Sequence, residues 1–298
     1  MKIAAATYPI DWHDNWESYE AKITKWVAEA ATEGAELLVF PEYGVMELAS
    51  LAGAQVAGEM DASMRAVDRY SDQVNQLHAR LCAKHNVHIL GASGPCYEGD
   101  NRPSNRATFY APTGLLGHQD KQIMTCGERD PMDVRTGGPL TVFDTALGKI
   151  GVIICYDCEF PDLARALVTA GVEILLVPSC TEQLSGYWRV RIGAMARALE
   201  SQCVVVHSPT TGDAPWNPIV PMNTGAAAVY GPPDTGFPDT GVIAEGAMNV
   251  PGWVYGDVSL GAVRTVREEG RVRNVAHWKE QPARVATVTI MAMGANAS

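Results

Sequence analysis

Residues 149–162 read Lys-Ile-Gly-Val-Ile-Ile-Cys-Tyr-Asp-Cys-Glu-Phe-Pro-Asp. The apolar run at 149–154 predicts a buried strand, and a helix is predicted at 163–170. Cys155 lies between them, where the backbone N–H groups of a helix start converge and favour an anion. We therefore expect the pKa of this thiol to be lowered. The same N–H groups can receive the oxyanion of a tetrahedral intermediate.

Short apolar runs alternate with helical periodicity through the rest of the chain. Strands are predicted at 3–7, 35–40, 87–92, 107–111, 115–118, 141–144, 149–154, 174–177, 204–207, 226–230, 242–245 and 254–258. Helices are predicted at 15–33, 62–85, 163–170, 188–200 and just before Gly270. The mixture of β-α-β units and hairpins predicts an α/β fold with one mixed sheet or two sheets, and with helices outside.

The chain shows neither a clean linker nor an internal repeat, so a single α/β domain is predicted. We assign residues 1–280 to this domain. Residues 281–298 form a C-terminal tail, in which 284–291 is predicted to be extended. The tail is expected to contact a partner subunit.

The composition excludes several classes of partner. The 298 residues are 47% hydrophobic and 19% charged, with a formal net charge of −11. Nucleic acids and anionic membrane surfaces need clustered Lys and Arg, which the chain lacks, so neither is expected as a partner. The N-terminal residues do not form a signal peptide, and no apolar run reaches membrane-spanning length. The seven irregularly spaced cysteines indicate reduced thiols, and we expect a cytoplasmic protein.

Two further loops place a reactive residue just after a predicted strand. Glu42 follows the run 35–40 and Pro41, where burial would raise its pKa and make it a usable base. Lys121 lies just beyond a hairpin strand and could stabilise a developing negative charge. Glu128, seven residues later, could pair with this lysine. Taken singly, each of these residues is also compatible with an ordinary surface position.

Cys155 and Cys158 also form a C-x-x-C pair. Such a pair is compatible with thiol–disulfide redox chemistry or with half of a zinc site. Zinc requires a second pair of ligands, and neither the histidines nor the other cysteines supply one at suitable spacing, so no metal is expected. The redox interpretation stays open.

Taken together, the three loops resemble the nitrilase superfamily, whose members carry a Glu-Lys-Cys triad in this chain order. The matching segments are Pro41-Glu42, Asp120-Lys121 and the run Gly-Val-Ile-Ile-Cys-Tyr-Asp at 151–157. The runs 160–167, 176–179 and 195–200 also resemble that family, and the likeness extends from residue 1 to about residue 270.

The resemblance implies a four-layer α-β-β-α sandwich that associates into homodimers or larger assemblies. It implies no metal and no organic cofactor. Cys155 would be the nucleophile, Glu42 the general base, and Lys121 with the backbone N–H of Tyr156 the oxyanion stabilisers. Glu128 would position Lys121 or the substrate.

The resemblance also bears on the substrate. Tyr-Asp after the cysteine is frequent in amidases, whereas many nitrilases have Trp-Glu. We therefore expect hydrolysis of a small amide to a carboxylate and ammonia. Cys158-Glu159 stands where branches with anionic substrates often have Arg, which favours a neutral or cationic amide near Glu159. Tyr187 and Trp188 are expected to shape an apolar wall of the pocket. Each of these three residues is equally compatible with a structural or surface role.

Other activities remain open for this sequence. An N-carbamoyl amide hydrolase or a nitrilase would use the same triad. An acyltransferase would let an amine intercept the thioester. A binding protein that has lost activity is disfavoured because the Glu, Lys and Cys residues are all present.

Overall fold

The computed structural model describes residues 1–99, 101–114, 116–291 and 293. Within these residues the strands are β1 (Lys2–Pro9), β2 (Leu37–Val39), β3 (His88–Leu90), β4 (Gly94–Cys96), β5 (Ser104–Tyr110), β6 (Leu116–Asp120), β7 (Val142–Thr145), β8 (Gly148–Val152), β9 (Ile174–Ser179), β10 (Val204–Asp213), β11 (Met222–Asn223), β12 (Ala228–Tyr230), β13 (Val242–Glu245) and β14 (Gly252–Asp257). The helices are α1 (Trp16–Thr32), α2 (Ala54–Ala57), α3 (Met60–Asp68), α4 (Ser71–His85), α5 (Cys126–Arg129), α6 (Pro161–Thr169), α7 (Leu184–Ser201), α8 (Leu260–Glu269), α9 (Asn274–His277) and α10 (Gln281–Val285). Segments of 3-10 helix cover Gly44–Ala52, Cys155–Glu159 and Trp278–Glu280.

The strands form two sheets that meet at β1 and β10. The first sheet has parallel β1, β2 and β3, flanked by antiparallel β14 on one side and by β5 and β6 on the other. The second has parallel β8, β9 and β10, flanked by antiparallel β7 and β12. The sheets join where Tyr8 and Pro9 pair in parallel with Thr210 and Thr211.

Strand β1 shows how the apolar residues are divided between layers. Ile3 and Ala5 pack into the apolar layer between the sheets, whereas Ala4 and Tyr8 pack against the helices. All four are buried, because successive side chains of a strand point to opposite faces. A continuous apolar run is therefore what this doubly covered strand requires.

Helices cover the outer face of each sheet. Apolar residues of α1 and α4 pack on the first sheet, with Tyr19, Ile23 and Leu77 in its outer cluster. Residues of α6 and α7, such as Leu167 and Val190, pack with the second sheet. The predicted four-layer α-β-β-α sandwich is confirmed.

The single helix predicted at 62–85 is wrong, because two helices, α3 and α4, cover that range. The break lies at Arg69 and Tyr70, with Tyr70 at φ −92° and ψ 0°. The Ser71 hydroxyl donates to the carbonyl of Asp68 at 2.6 Å, a local bond that competes with continued helix. The Tyr70 ring stacks on Trp16 with centroids 5.9 Å apart.

Several other boundaries differ from the prediction. Helix α7 begins four residues before the predicted start at 188, and β10 extends six residues beyond the predicted end at 207. The tail predicted as extended at 284–291 begins within α10. Leu115 of the predicted hairpin, and tail residues 292 and 294–298, lie outside the described residues. Among the described helices, none has the length and apolar character needed to cross a membrane.

Candidate active site

Three strand ends bring Glu42, Lys121 and Cys155 together. Glu42 follows β2, Lys121 follows β6 and Cys155 follows β8, so the first two come from one sheet and the third from the other. Lys121 Nζ donates to Glu42 Oε1 at 2.7 Å, and the charge of the Glu42 carboxylate acts on the Cys155 thiol. The exposed fractions of Glu42, Lys121 and Cys155 are 1%, 1% and 6%. The three side chains are therefore almost completely buried.

The turn that carries Glu42 is tightly constrained. Tyr43 has a φ of 54°, which is uncommon for a residue with a side chain. Its N–H donates to the hydroxyl of Ser93 at 3.2 Å. A Cβ on Gly44 would lie 2.8 Å from the Cβ of Ala92, so this glycine permits a close approach of the two segments. The neighbouring backbone thus fixes the direction of the carboxylate.

Glu128 lies on the other side of the lysine ammonium. Its Oε2 accepts from Lys121 Nζ at 2.6 Å. The same oxygen accepts from the backbone N–H and the hydroxyl of Thr125, both at 2.9 Å. Thr125 and Glu128 form a reciprocal capping box at the start of α5. The structure therefore places this glutamate in direct contact with Lys121.

Two polar side chains of the site were missed in the sequence. Asn105 Nδ2 donates to Glu42 Oε1 at 3.0 Å and to Glu128 Oε1 at 3.3 Å. The Tyr43 hydroxyl donates to Glu128 Oε1 at 3.0 Å. Asn105 lies near the start of β5 and is fully buried. Its one sign in the sequence is an amide next to the predicted strand at 107–111.

The backbone of residue 180 completes the environment of Glu42. The N–H of Cys180, just after β9, donates to Glu42 Oε2 at 2.9 Å. The carbonyl of the same residue faces the sulfur of Cys155 at 3.9 Å. Both carboxylate oxygens of Glu42 are thereby engaged. A backbone contact of this kind leaves no mark in the sequence.

The two glutamates have pKa values shifted in opposite directions. Burial raises the pKa of Glu42, with Lys121 opposing and Glu128 reinforcing the shift. Burial also acts on Glu128, but Lys121 and the bonds from Thr125 outweigh it and lower that pKa. For Lys121, burial is outweighed by the two carboxylates, which raise its pKa well above the usual value. Opposite shifts of this kind suit Glu42 to proton transfer and Glu128 to a permanent negative charge.

Cys155 occupies a strained turn. Its φ is 50°, in the left-handed region, and it begins a 3-10 segment in place of the α-helix start predicted from the sequence. The N–H of Tyr156 lies in the first turn of this segment, where backbone donors lack helical partners. Burial and then Glu42 raise the pKa of the Cys155 thiol well above its usual value, although Lys121 opposes the shift. The expectation of a lowered thiol pKa is therefore wrong, and Cys155 needs a base.

Cys158 is turned towards α7. Its sulfur is buried and donates to the carbonyl of Val190 at 3.5 Å. A Cβ on Gly193 would lie 2.8 Å from that sulfur, so the thiol fills a close helix contact. All seven cysteines of the chain are free. The described residues contain no group of three or more His, Cys, Asp or Glu side chains that could hold a metal ion.

The three predicted pocket residues have different environments. Glu159 lies 3.5 Å from Arg189, whose side chain is largely exposed. Tyr187 is buried, with its ring stacked on His207 at 5.8 Å. Trp188 is 47% exposed on α7. The structure thus places Tyr187 in the core and Trp188 at the surface.

The sequence has recognisable relatives. A family model described as carbon-nitrogen hydrolase matches residues 2–268. The chain is 30% identical over 275 residues to a Bacillus subtilis (strain 168) protein named probable hydrolase YhcX. That alignment covers 92% of this chain and 53% of the relative, so the chain spans about half of the relative's length.

Solved structures share the fold. Nit3 of Saccharomyces cerevisiae, described as a member of branch 10 of the nitrilase superfamily, matches with a TM-score of 0.70 at 19% identity, over 90% of this chain and 93% of that chain. A mutant of the amidase from Nesterenkonia sp. AN1, with acrylamide added at its active-site cysteine, matches with a TM-score of 0.67 at 18% identity, over 95% and 98% of the two chains. The family match spans most of the chain, and the fold agrees with it: this protein belongs to the carbon-nitrogen hydrolase family.

Proposed function

We propose that this protein hydrolyses a small non-peptide amide to a carboxylate and ammonia through a thioester on Cys155. The observation that carries the proposal is the buried ammonium of Lys121 held between two glutamates, one of which also acts through its charge on the Cys155 thiol. The raised pKa of Glu42 makes its carboxylate a stronger proton acceptor, and the raised pKa of the Cys155 thiol means that the sulfur needs such an acceptor.

The first half of the reaction forms the thioester. Glu42 takes the thiol proton, and the Cys155 sulfur attacks the amide carbonyl. Lys121 has three N–H bonds, of which two are directed at the glutamates, so the third is available to the oxyanion. The N–H of Tyr156 is the second oxyanion donor. The C–N bond then breaks, and the proton held by Glu42 passes to the departing nitrogen.

The second half regenerates the cysteine. Glu42, again ionised, takes a proton from a water molecule, whose oxygen attacks the thioester carbonyl. The C–S bond breaks, the proton returns to the sulfur of Cys155, and the carboxylate product leaves. The proposed chemistry uses no metal and no organic cofactor.

We also propose a neutral or cationic amide as the substrate. Glu159 lies in the 3-10 segment that begins at the nucleophile, and its partner Arg189 is 62% exposed, so the carboxylate can exchange one cation for another.

A homodimer or larger homo-oligomer is proposed as the working form. Four apolar side chains project from one stripe of α7 and are between 47% and 62% exposed: Leu184, Trp188, Ile192 and Leu199. We call these four residues the α7 stripe. Large exposed apolar groups at helical spacing are typical of a protein–protein contact. The seven free thiols support a cytoplasmic location.

The experiment is ammonia release from neutral, cationic and anionic primary amides and from matched nitriles. The Cys155→Ala variant is the blank, and Cys126→Ala, which removes an exposed cysteine, is the control. We expect release from amides by the wild type and the control, and none from the blank. Release that persists in Cys155→Ala, or release from nitriles alone, would contradict the proposal. Carbamoyl compounds and an added amine test the two nearest alternatives.

A further inference from the structure

A buried carboxylate connects the loops of the lysine and the cysteine. Asp157 lies two residues after Cys155, and its side chain is fully buried. It accepts hydrogen bonds from the backbone N–H of Gln122, at 3.2 and 3.1 Å to its two oxygens, and of Ile123, at 2.8 Å. These two donors directly follow Lys121 in the chain.

The same carboxylate also binds its own loop. Its Oδ2 accepts from the N–H of Ile154, the residue before Cys155, at 3.1 Å. Ile154 follows β8 of the second sheet, whereas Gln122 and Ile123 follow β6 of the first. The hydrogen bonds of Asp157 therefore cross between the sheets where the nucleophile and the lysine meet.

We propose that Asp157 is a positioning residue, which fixes the Lys121 ammonium relative to the Cys155 thiol by binding the backbone beside each of them. The inference rests on the proposed function, because it assumes that this lysine and this cysteine act together. If Asp157 served as a local cap of the 3-10 segment, the bond to Ile154 alone would be sufficient. The bonds to residues 122 and 123 have no such local purpose.

An ionised carboxylate is required by the three converging donors. It accepts at both oxygens, whereas an asparagine amide would offer one oxygen and turn an NH₂ group towards an N–H. Burial raises the pKa of Asp157 to about 6, with Lys121 and the three N–H groups opposing the shift. The ionised form is thus present at neutral pH although burial disfavours it, which indicates a purpose beyond filling space.

The sign of the effect of Asp157→Asn separates positioning from charge. The substitution removes a negative charge close to Cys155, and that change alone favours the thiolate and would speed alkylation of the sulfur. Loss of the backbone bonds has the opposite effect, because it frees the lysine loop from the nucleophile loop. A decrease in reactivity therefore reports positioning.

The experiment measures initial alkylation of Cys155 by iodoacetamide in the native protein, by peptide mass spectrometry. The exposed Cys126 of the same sample is the internal reference. In Asp157→Asn we expect the ratio of Cys155 to Cys126 alkylation to fall about tenfold. The matched control is Asp234→Asn, in which the ratio should stay within about twofold of the wild type.

Asp234 is a suitable control because it binds backbone in the same way elsewhere. Its carboxylate accepts from the N–H groups of Thr235 at 2.6 Å, Arg271 at 3.1 Å and Val272 at 3.3 Å. These residues join the β12–β13 loop to the chain after α8. Its replacement thus tests the loss of three backbone bonds without touching the catalytic loops.

The outcomes separate the two proposals. An Asp157→Asn protein that unfolds at the wild-type temperature and keeps or increases the ratio overturns the positioning role. If that variant does not fold, Asp157→Glu, which moves the oxygens by one methylene, is expected to lower the ratio in its place. A normal ratio in Asp157→Glu, or failure of both variants to fold, also overturns the role.

Ammonia release is measured on the same samples. If the wild type releases ammonia, Asp157→Asn should lower kcat about tenfold with little change in KM, because the geometry of reaction is altered and substrate contacts are not. No release by the wild type together with a lowered ratio would contradict the proposed function and leave the positioning role. Release by the wild type together with an unchanged alkylation ratio in Asp157→Asn would support the proposed function and contradict the positioning role.

Discussion

Glu128 Oε2 lies 2.6 Å from Lys121 Nζ, and both side chains are almost completely buried. This ion pair fixes the ammonium between two carboxylates and leaves one N–H bond for the proposed oxyanion contact. In Glu128→Gln we expect ammonia release to fall about 100-fold, because a preorganised oxyanion donor is disturbed. Steady-state kinetics on an amide that the wild type hydrolyses measure the change.

The control for this prediction is Glu20→Gln. Glu20 is 37% exposed on α1 and pairs with Arg80, which is 58% exposed, so its replacement removes a surface ion pair of low value. The control should keep wild-type kinetics. If Glu128→Gln were equally active, Lys121 would not depend on this glutamate for its position.

Asn105 stabilises the ionised forms of both glutamates by donating to each. Its replacement by leucine removes a donor to a carboxylate, and this raises the pKa of Glu42 further. A base with a higher pKa is ionised only at higher pH, so the acid limb of the kcat/KM profile should move up by about one pH unit. The control Asn75→Leu removes an amide that accepts from the Tyr110 hydroxyl, and its profile should not move.

Glu47 is buried in a second cluster of charged residues, which shares no residue with Glu42, Lys121 and Cys155. Its Oε2 lies 2.7 Å from Lys22 Nζ and 3.5 Å from His13 Nε2. Burial disfavours the ionised carboxylate, but Lys22 and His13 outweigh it and lower the pKa of Glu47. Glu47→Gln leaves the part-buried Lys22 ammonium with Asp11 and the carbonyl of Pro9 as its partners and should cost about 2 kcal/mol in the free energy of unfolding, as for the loss of a hydrogen bond to a charged group.

The pH dependence of that stability has a definite sign. Because the folded pKa of Glu47 is lowered, its contribution is complete above the unfolded pKa of about 4.3 and is lost as the pH falls through the folded value. Urea unfolding at pH 7 and below pH 4 measures it. The gap between the wild type and Glu47→Gln should narrow at the lower pH. A constant gap would show that the carboxylate acts through packing and not through its charge.

Glu159→Gln tests the proposed charge of the substrate. Removal of the carboxylate should lower kcat/KM for cationic amides about tenfold relative to neutral ones, since an opposite charge in the pocket is lost. The comparison requires a cationic and a neutral amide of similar size. An unchanged preference would mean that Glu159 only balances the charge of Arg189.

The α7 stripe predicts a change in assembly. Ile192→Lys places a charge in the centre of the stripe, where the isoleucine is 62% exposed, and should shift the protein towards the monomer. Sedimentation velocity at several concentrations measures the distribution. Val250→Lys alters an equally exposed apolar residue elsewhere and should leave the distribution unchanged. A wild type that is already monomeric would contradict the proposed assembly.

Much of the fold was predictable because its strands are short apolar runs. The segment 149–162 placed Cys155 between a strand and a helix, and the Pro41-Glu42 and Asp120-Lys121 turns each followed a predicted strand. Buried strands of this kind are recognisable from their apolar runs, and the loops that follow them lie together at the edge of the sheet. The α-β-β-α layers followed from the resemblance of these three motifs to a known family.

What the sequence did not predict depends on contacts distant in the chain. Asn105 and the N–H of Cys180 bind Glu42 from residues 63 and 138 positions away. The pKa of the Cys155 thiol is raised and not lowered as expected, because burial and the neighbouring Glu42 carboxylate outweigh the effect of the turn on the thiolate. The break at Tyr70 reflects a local hydroxyl bond and a ring contact that helical periodicity does not encode.

The three residues proposed for catalysis come from opposite sheets of the sandwich. Glu42 and Lys121 belong to one sheet and Cys155 to the other, so their arrangement exists only while the two sheets keep their mutual alignment. The proposed hydrolysis would therefore report that alignment. In a titration with denaturant, activity should disappear before the circular dichroism of the helices changes, since a small slip between the sheets disables the chemistry without melting either half.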